Sequence, residues 1–122
     1  DEIWMEDFDA IIFDVSGTSN NVWDGAFWQP KIYTEVGCTY TVTFTLRTDE
    51  AAGRDVIVFL EDTDNNYFKF IEETVTLSTE YQTFTYIFEP LETNNDTKIG
   101  IFFANQVGTV IIDSILVTRD PS

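Results

Sequence analysis

Histidine is missing from this 122-residue chain altogether, and cysteine occurs once, at Cys38. Without imidazole there is no histidine general base and no histidine ligand for zinc, and a lone thiol forms neither an intramolecular disulfide nor a cysteine cluster. Several common enzyme designs are thereby excluded, and Cys38, beside Gly37, reads as a free thiol at a strand entry. Basic residues are also scarce, with 6 Lys and Arg against 22 Asp and Glu and a formal net charge of -16. Such a surplus repels polyanions, so nucleic acid and anionic membranes are not expected partners, whereas a neutral ligand or a cation meets no barrier. No apolar run approaches the length of a membrane span, and no basic segment with an apolar stretch behind it opens the chain. The start at Asp1 is what a processed protein or an excised module would show, and the expected location is outside the cell.

What the chain does contain is apolar and aromatic material along its whole length, 43% and 16% of residues, which argues for a folded unit despite the charge. Its size fits one domain over residues 1–122. The dominant period is two, the signature of half-buried strands. In Thr39 to Thr48, Tyr40, Val42, Phe44 and Leu46 alternate with Thr41, Thr43, Thr45 and Arg47. Thr83 to Glu89 repeats the pattern, with Phe84, Tyr86 and Phe88 inward and Thr83, Thr85 and Ile87 outward. Further strands are predicted at Asp7–Val15, Val22–Gln29, Asp55–Glu61, Tyr67–Ile71, Thr74–Leu77, Lys98–Ala104 and Thr109–Thr118. Turns rich in Gly, Asn, Asp or Thr separate them at Ser16–Asn21, Asp49–Gly53, Asp62–Asn66 and Glu92–Asp96. No convincing helical stripe and no internal repeat interrupts the series, so the fold class expected is an all-β antiparallel sandwich.

Four segments occur in a telling order: Trp23 to Pro30, then EVGCTYTVTFTLRTDEAAGRDVIVFL, then VTLSTEYQTFTYIFE, then GTVIIDSILV. In this order they resemble the β-jelly-roll carbohydrate-binding modules of families 4, 9, 16 and 22, over about Val22 to Thr118. The EDFD at Glu6 to Asp9 approximates the GDFE-like opening of such modules. The resemblance implies a jelly roll of two sheets with a concave binding face, and a non-catalytic role in holding an internal stretch of a plant-type polysaccharide such as β-glucan, xylan or mannan. It also implies a secreted, monomeric module attached to a catalytic domain.

The resemblance places Trp23, Trp28 and Gln29 at ligand-contacting positions, with Trp28 favoured as the stacking platform. Independently, the alternation that sends Ile99, Ile101 and Phe103 inward leaves Phe102 on the opposite face, and Phe59 and Tyr67 hold comparable outward positions. Asn105 and Gln106 end that strand and offer amides, while Arg47 would enter the groove if the outward face of its strand lies on the concave side. Sugar rings present flat C–H faces, which is why aromatic platforms beside planar hydrogen-bonding groups suit them. For metal, the resemblance implies structural calcium at Asp113, with Asp7 or Asp9 supplying N-terminal oxygens. The DTDNN at Asp62 to Asn66 lacks the glycine and closing glutamate of an EF-hand loop and reads as a hairpin turn. Two alternatives stand beside sugar binding: a structural or adhesive β-domain, and a small glycosidase, for which carboxylate pairs abound but no recognisable catalytic motif exists.

Overall fold

Alternation in the threonine-rich segment is realised residue by residue: in strand β3 (Thr39–Arg47) Tyr40, Val42, Phe44 and Leu46 are buried and the residues between them are partly exposed. The computed structural model describes residues 2–15, 17, 25–63, 68–103 and 106–120. The other strands are β1 (Glu2–Val15), β2 (Ala26–Thr34), β4 (Arg54–Asp62), β5 (Phe68–Leu77), β6 (Gln82–Phe88), β7 (Asn94–Phe102) and β8 (Gly108–Asp120). They form two four-stranded sheets, ordered β1-β8-β3-β6 and β2-β7-β4-β5, with antiparallel pairing throughout. Most neighbours are not consecutive in sequence, so the chain crosses repeatedly between the sheets. This is the jelly-roll sandwich expected from the sequence.

The core between the sheets is built from the inward alternates: Val42, Phe44 and Leu46 of β3, Val56, Val58 and Leu60 of β4, Ile99 and Ile101 of β7, and Val110, Ile112, Ile115 and Val117 of β8. Each such side chain contributes about 1.5–3 kcal/mol by leaving water, and a slip of one residue in any strand would turn its whole set outward. Register is therefore fixed by burial.

Several strand limits differ from the sequence prediction. The segments Tyr67–Ile71 and Thr74–Leu77 join into one strand, β5, whose Glu72 and Glu73 are exposed. That strand is a sheet edge, where charged residues are tolerated and discourage pairing with another chain. β2 runs through Pro30 instead of ending at Gln29. It too is an edge, so a residue without an N–H can be accommodated, and the register with β7 slips between Gln29 and Ile32, with Lys31 at φ 62°. β7 begins at Asn94, inside the segment read as a turn, and β1 begins at Glu2 instead of Asp7.

A buried arginine closes one end of β4. Arg54, 2% exposed, donates from Nη1 to the Gly108 carbonyl (3.0 Å) and from Nη2 to the Phe103 carbonyl (2.7 Å). Burial pushes its pKa below the ordinary arginine value, with Asp55 and Glu50 opposing. Alanine at position 54 would strand two buried carbonyls at about 1–3 kcal/mol each, so we expect Arg54→Ala to lose about 2–6 kcal/mol of stability in chemical denaturation. A midpoint unchanged from the parent would show that the carbonyls find other donors.

Candidate functional site

The outer face of the β2-β7-β4-β5 sheet carries the aromatic residues, and its rows follow from the register. Ala26, Phe102, Ile57 and Thr74 stand side by side across the four strands. The next row is Trp28, Gly100, Phe59 and Glu72. Gly100 has no side chain, and Phe59 leans into that space: a Cβ on Gly100 would lie 2.9 Å from Phe59 Cζ and 2.8 Å from Trp28 Cβ. Phe59 also stacks on Phe102, with ring centroids 4.1 Å apart and planes 10° from parallel. Phe59 is wholly buried and Phe102 is 7% exposed, whereas Trp28 is 45% exposed. The indole is thus the accessible ring, and the phenylalanines form the bed beside it.

A row of charges borders this bed. Glu61, two residues along β4 from Phe59, stands between Lys98 of β7 and Lys69 of β5. Its carboxylate is 3% exposed by residue and is shared, with Oε1 2.7 Å from Lys69 Nζ and Oε2 3.9 Å from Lys98 Nζ. Lys98 Nζ lies 4.8 Å from the centroid of the Trp28 ring, and Lys69 Nζ lies 6.0 Å from that of Phe59. Both are within the range in which an aromatic face attracts a cation. A buried carboxylate needs such partners, since burial of an unpaired charge is costly.

The structure brings together some of the residues singled out from sequence and separates others. Trp28, which the resemblance singled out, shares one face with Phe59 and Phe102, which the alternation set outward, although Phe59 is covered and not an exposed platform. Gln29 pairs in register with the core residue Ile99, so it lies on the opposite side of β2 from Trp28, and its amide donates to the Pro30 carbonyl at 3.3 Å. Gln106 caps the ladder: its Oε1 accepts from the Asp55 N–H at 2.8 Å. Arg47 sits on the outer face of the other sheet, where β3 lies between β8 and β6. There it donates to Asp49 Oδ1 at 2.7 Å and covers the Tyr81 ring at 5.3 Å, and these partners raise its pKa. Arg47 and the threonines flanking it therefore do not share a face with Trp28. Trp23, Tyr67 and Asn105 lie outside the described residues.

Sequence reading passed over Lys98, Gly100, Glu61 and Lys69. The signal for the first two was present, because the alternation that sets Phe102 outward also sets Gly100 and Lys98 outward. The burial of Glu61 depends on lysines in two neighbouring strands and has no local signature.

The backbone around Asp113 is irregular on both sides. The β1–β8 register breaks between Asp7 and Ile11, and the β3–β8 register breaks between Thr45 and Leu46, each step leaving Asp113 unpaired between Ile112 and Ser114. The half-buried Asp113 thus stands opposite the segment from Asp7 to Ile11, which contains Asp9. The side chains of Asp7 and Asp9 lie outside the described residues, and among the described ones no group of three metal-ligating side chains forms.

A jelly roll whose outer face combines an accessible indole, a phenylalanine bed and a few placed charged groups is the build of a sugar-binding module. The family model described as "Carbohydrate binding domain" (CBM4/9) matches residues 12–107, and the chain belongs to that family. Domains of the family are generally non-catalytic. Among solved structures the chain is similar to a CBM4 structure at 21% identity and a TM-score of 0.79, covering 91% of this chain and 71% of that one. It is also similar to the second N-terminal cellulose-binding domain of Cellulomonas fimi β-1,4-glucanase C, at 18% identity and a TM-score of 0.71, covering 93% and 77%. A third is the Clostridium thermocellum xylanase 10B fragment of CBM22-1 and GH10 modules complexed with xylohexaose, at 11% identity and a TM-score of 0.61, covering 98% and 29%. Likeness at these identities establishes the fold. No curated protein matches the chain.

Proposed function

We propose that the chain is a non-catalytic module that holds an internal stretch of a plant-type polysaccharide, a β-glucan, xylan or mannan, against the outer face of the β2-β7-β4-β5 sheet. The observation that carries this reading is the half-exposed Trp28 ring set beside the Phe59–Phe102 stack and next to a row of hydrogen-bonding charges. Stacking supplies affinity, and the polar row supplies orientation. We further propose that the module is secreted and monomeric and serves an attached polysaccharide-degrading domain, in keeping with the xylanase neighbour that carries such a module beside its catalytic one. Affinity electrophoresis against soluble glucans, xylan and mannans tests the reading. Retarded migration in at least one gel is expected, without release of reducing sugar. Binding to microcrystalline cellulose alone would overturn the internal-stretch mode, and silence against every glycan would leave a structural β-domain.

We also propose a structural calcium at Asp113. The residues suit it: carboxylate oxygens are the hard ligands calcium takes, and the broken register on either side of Asp113 leaves it opposite the segment holding Asp7 and Asp9. Bound only by the folded state, the ion would add about 2.7 kcal/mol when free calcium is a hundredfold above its dissociation constant. Melting curves in excess calcium should therefore lie above those in chelator, and coincident curves would remove the ion from the account.

A further inference from the structure

Every lysine of the chain stands in one row of the candidate face. Lys69 and Lys98 flank Glu61 in register, and the slip in β2 sets Pro30 and Lys31 together against Lys98, between the pairs Gln29–Ile99 and Ile32–Thr97. The three arginines are committed elsewhere: Arg47 to Asp49, Arg54 to backbone carbonyls, and Arg119 to Glu35. In a chain of net charge -16, three lysines against one buried glutamate leave this row locally positive. Lys31 is placed there by a backbone conformation uncommon for a non-glycine residue, φ 62°, the kind of local strain that persists where surrounding structure demands it.

From this arrangement we infer that the sugar chain on Trp28 is an acidic one, carrying a uronate carboxylate that Lys98 and Lys31 recognise. The inference rests on the proposed sugar-binding face and names its ligand class. Glu61 holds Lys69 tightly, at 2.7 Å, but Lys98 only at 3.9 Å, while Lys98 Nζ lies 4.8 Å from the indole centroid. Because Lys98 Nζ lies over the indole itself, a carboxylate on a sugar held beside that ring comes within reach of the ammonium without displacing the buried Glu61–Lys69 pair. The nearest row holds one exposed acid, Glu72, two strands from Lys98 and so about 10 Å away, roughly a Debye length at physiological salt. Asp96, two residues from Lys98 on β7, is the second acid near the row and offsets part of its positive charge. The remaining negative charge of the molecule opposes a polyuronate, so the expected ligand bears isolated acidic branches on a neutral backbone.

Isothermal titration of the full chain against cellohexaose, xylohexaose and mannohexaose, each paired with a counterpart bearing one uronate, tests this. An exposed ion pair is worth at most about fivefold in affinity, so a gain of about threefold to fivefold for the acidic member of the binding pair is expected at low salt, fading as salt is raised. In Lys98→Gln the gain should fall towards one. Lys31→Gln, which leaves the Glu61 pairs intact, should reduce it and serves as a check should Lys98→Gln fold poorly. Equal or weaker binding of the acidic member overturns the inference while the proposed sugar-binding function stands. Absence of binding to every oligosaccharide overturns both.

Discussion

Trp28→Ala should weaken oligosaccharide affinity by at least tenfold while leaving the melting temperature within a few degrees of the parent. A sugar ring laid on indole removes about 80 Å² of apolar area from water, which at roughly 25 cal/mol per Å² gives about 2 kcal/mol, more than one decade of affinity. The same residue contributes little to folding, because it is already 45% exposed and its neighbour across the ladder, Gly100, offers no side chain to pack on. Arg47→Ala is the matched control: its guanidinium is held by Asp49 and Tyr81 on the far side of the sandwich, so affinity should change by less than about twofold. Titration of both variants with the oligosaccharide that the parent binds best makes the comparison. A Trp28→Ala protein that melts many degrees lower yet binds normally in its folded fraction would make Trp28 a packing residue and move the platform elsewhere on the sheet.

The contrast between these two residues shows how much of the site could be read from sequence. Period-two alternation determines which side of a strand a residue occupies, and it placed Phe102 and Phe59 outward and Ile99, Ile101 and Phe103 inward in agreement with the structure. It carries no information about which sheet a strand joins. The polar side of Thr39–Arg47 faces outward on the sheet formed with β8 and β6, and only the crossovers of the jelly roll separate Arg47 from Trp28. Exposure is likewise not local: Phe59 occupies an outward position and is still fully buried, because its neighbour across the ladder is a glycine and its neighbour in the next row is a phenylalanine. The strand predicted at Val22–Gln29 stops short of Pro30, whose missing N–H would interrupt the ladder of a central strand. At an edge with a bulge the strand continues to Thr34, and that continuation brings Lys31 beside Lys98.

Gly100→Ala should destabilise the protein more than any exposed substitution on the same face, by about 3 kcal/mol. The added Cβ would lie 2.3 Å from the Phe27 carbonyl oxygen, 2.8 Å from Trp28 Cβ and 2.9 Å from Phe59 Cζ. Of these, only the Phe59 ring is the end of a side chain, and it cannot swing freely because it is buried against Phe102 at 4.1 Å. The Phe27 oxygen belongs to the backbone of β2, which pairs with β7 through Phe27–Ile101 and Trp28–Gly100, so relief requires the edge strand to move away from its neighbour. Core overpacking costs about 1–3 kcal/mol and occasionally more, and a clash with paired backbone belongs at the upper end. At this chain length that corresponds to a drop of about 10 °C in melting temperature. Because β2 carries Trp28, the same displacement should also weaken sugar binding in the protein that remains folded, in contrast to Arg54→Ala, which acts at the other end of β4 from Glu61. A Gly100→Ala protein with the melting temperature of the parent would mean that β2 is seated loosely enough to yield, and the fixed geometry assigned to the Trp28 platform would then be lost with it.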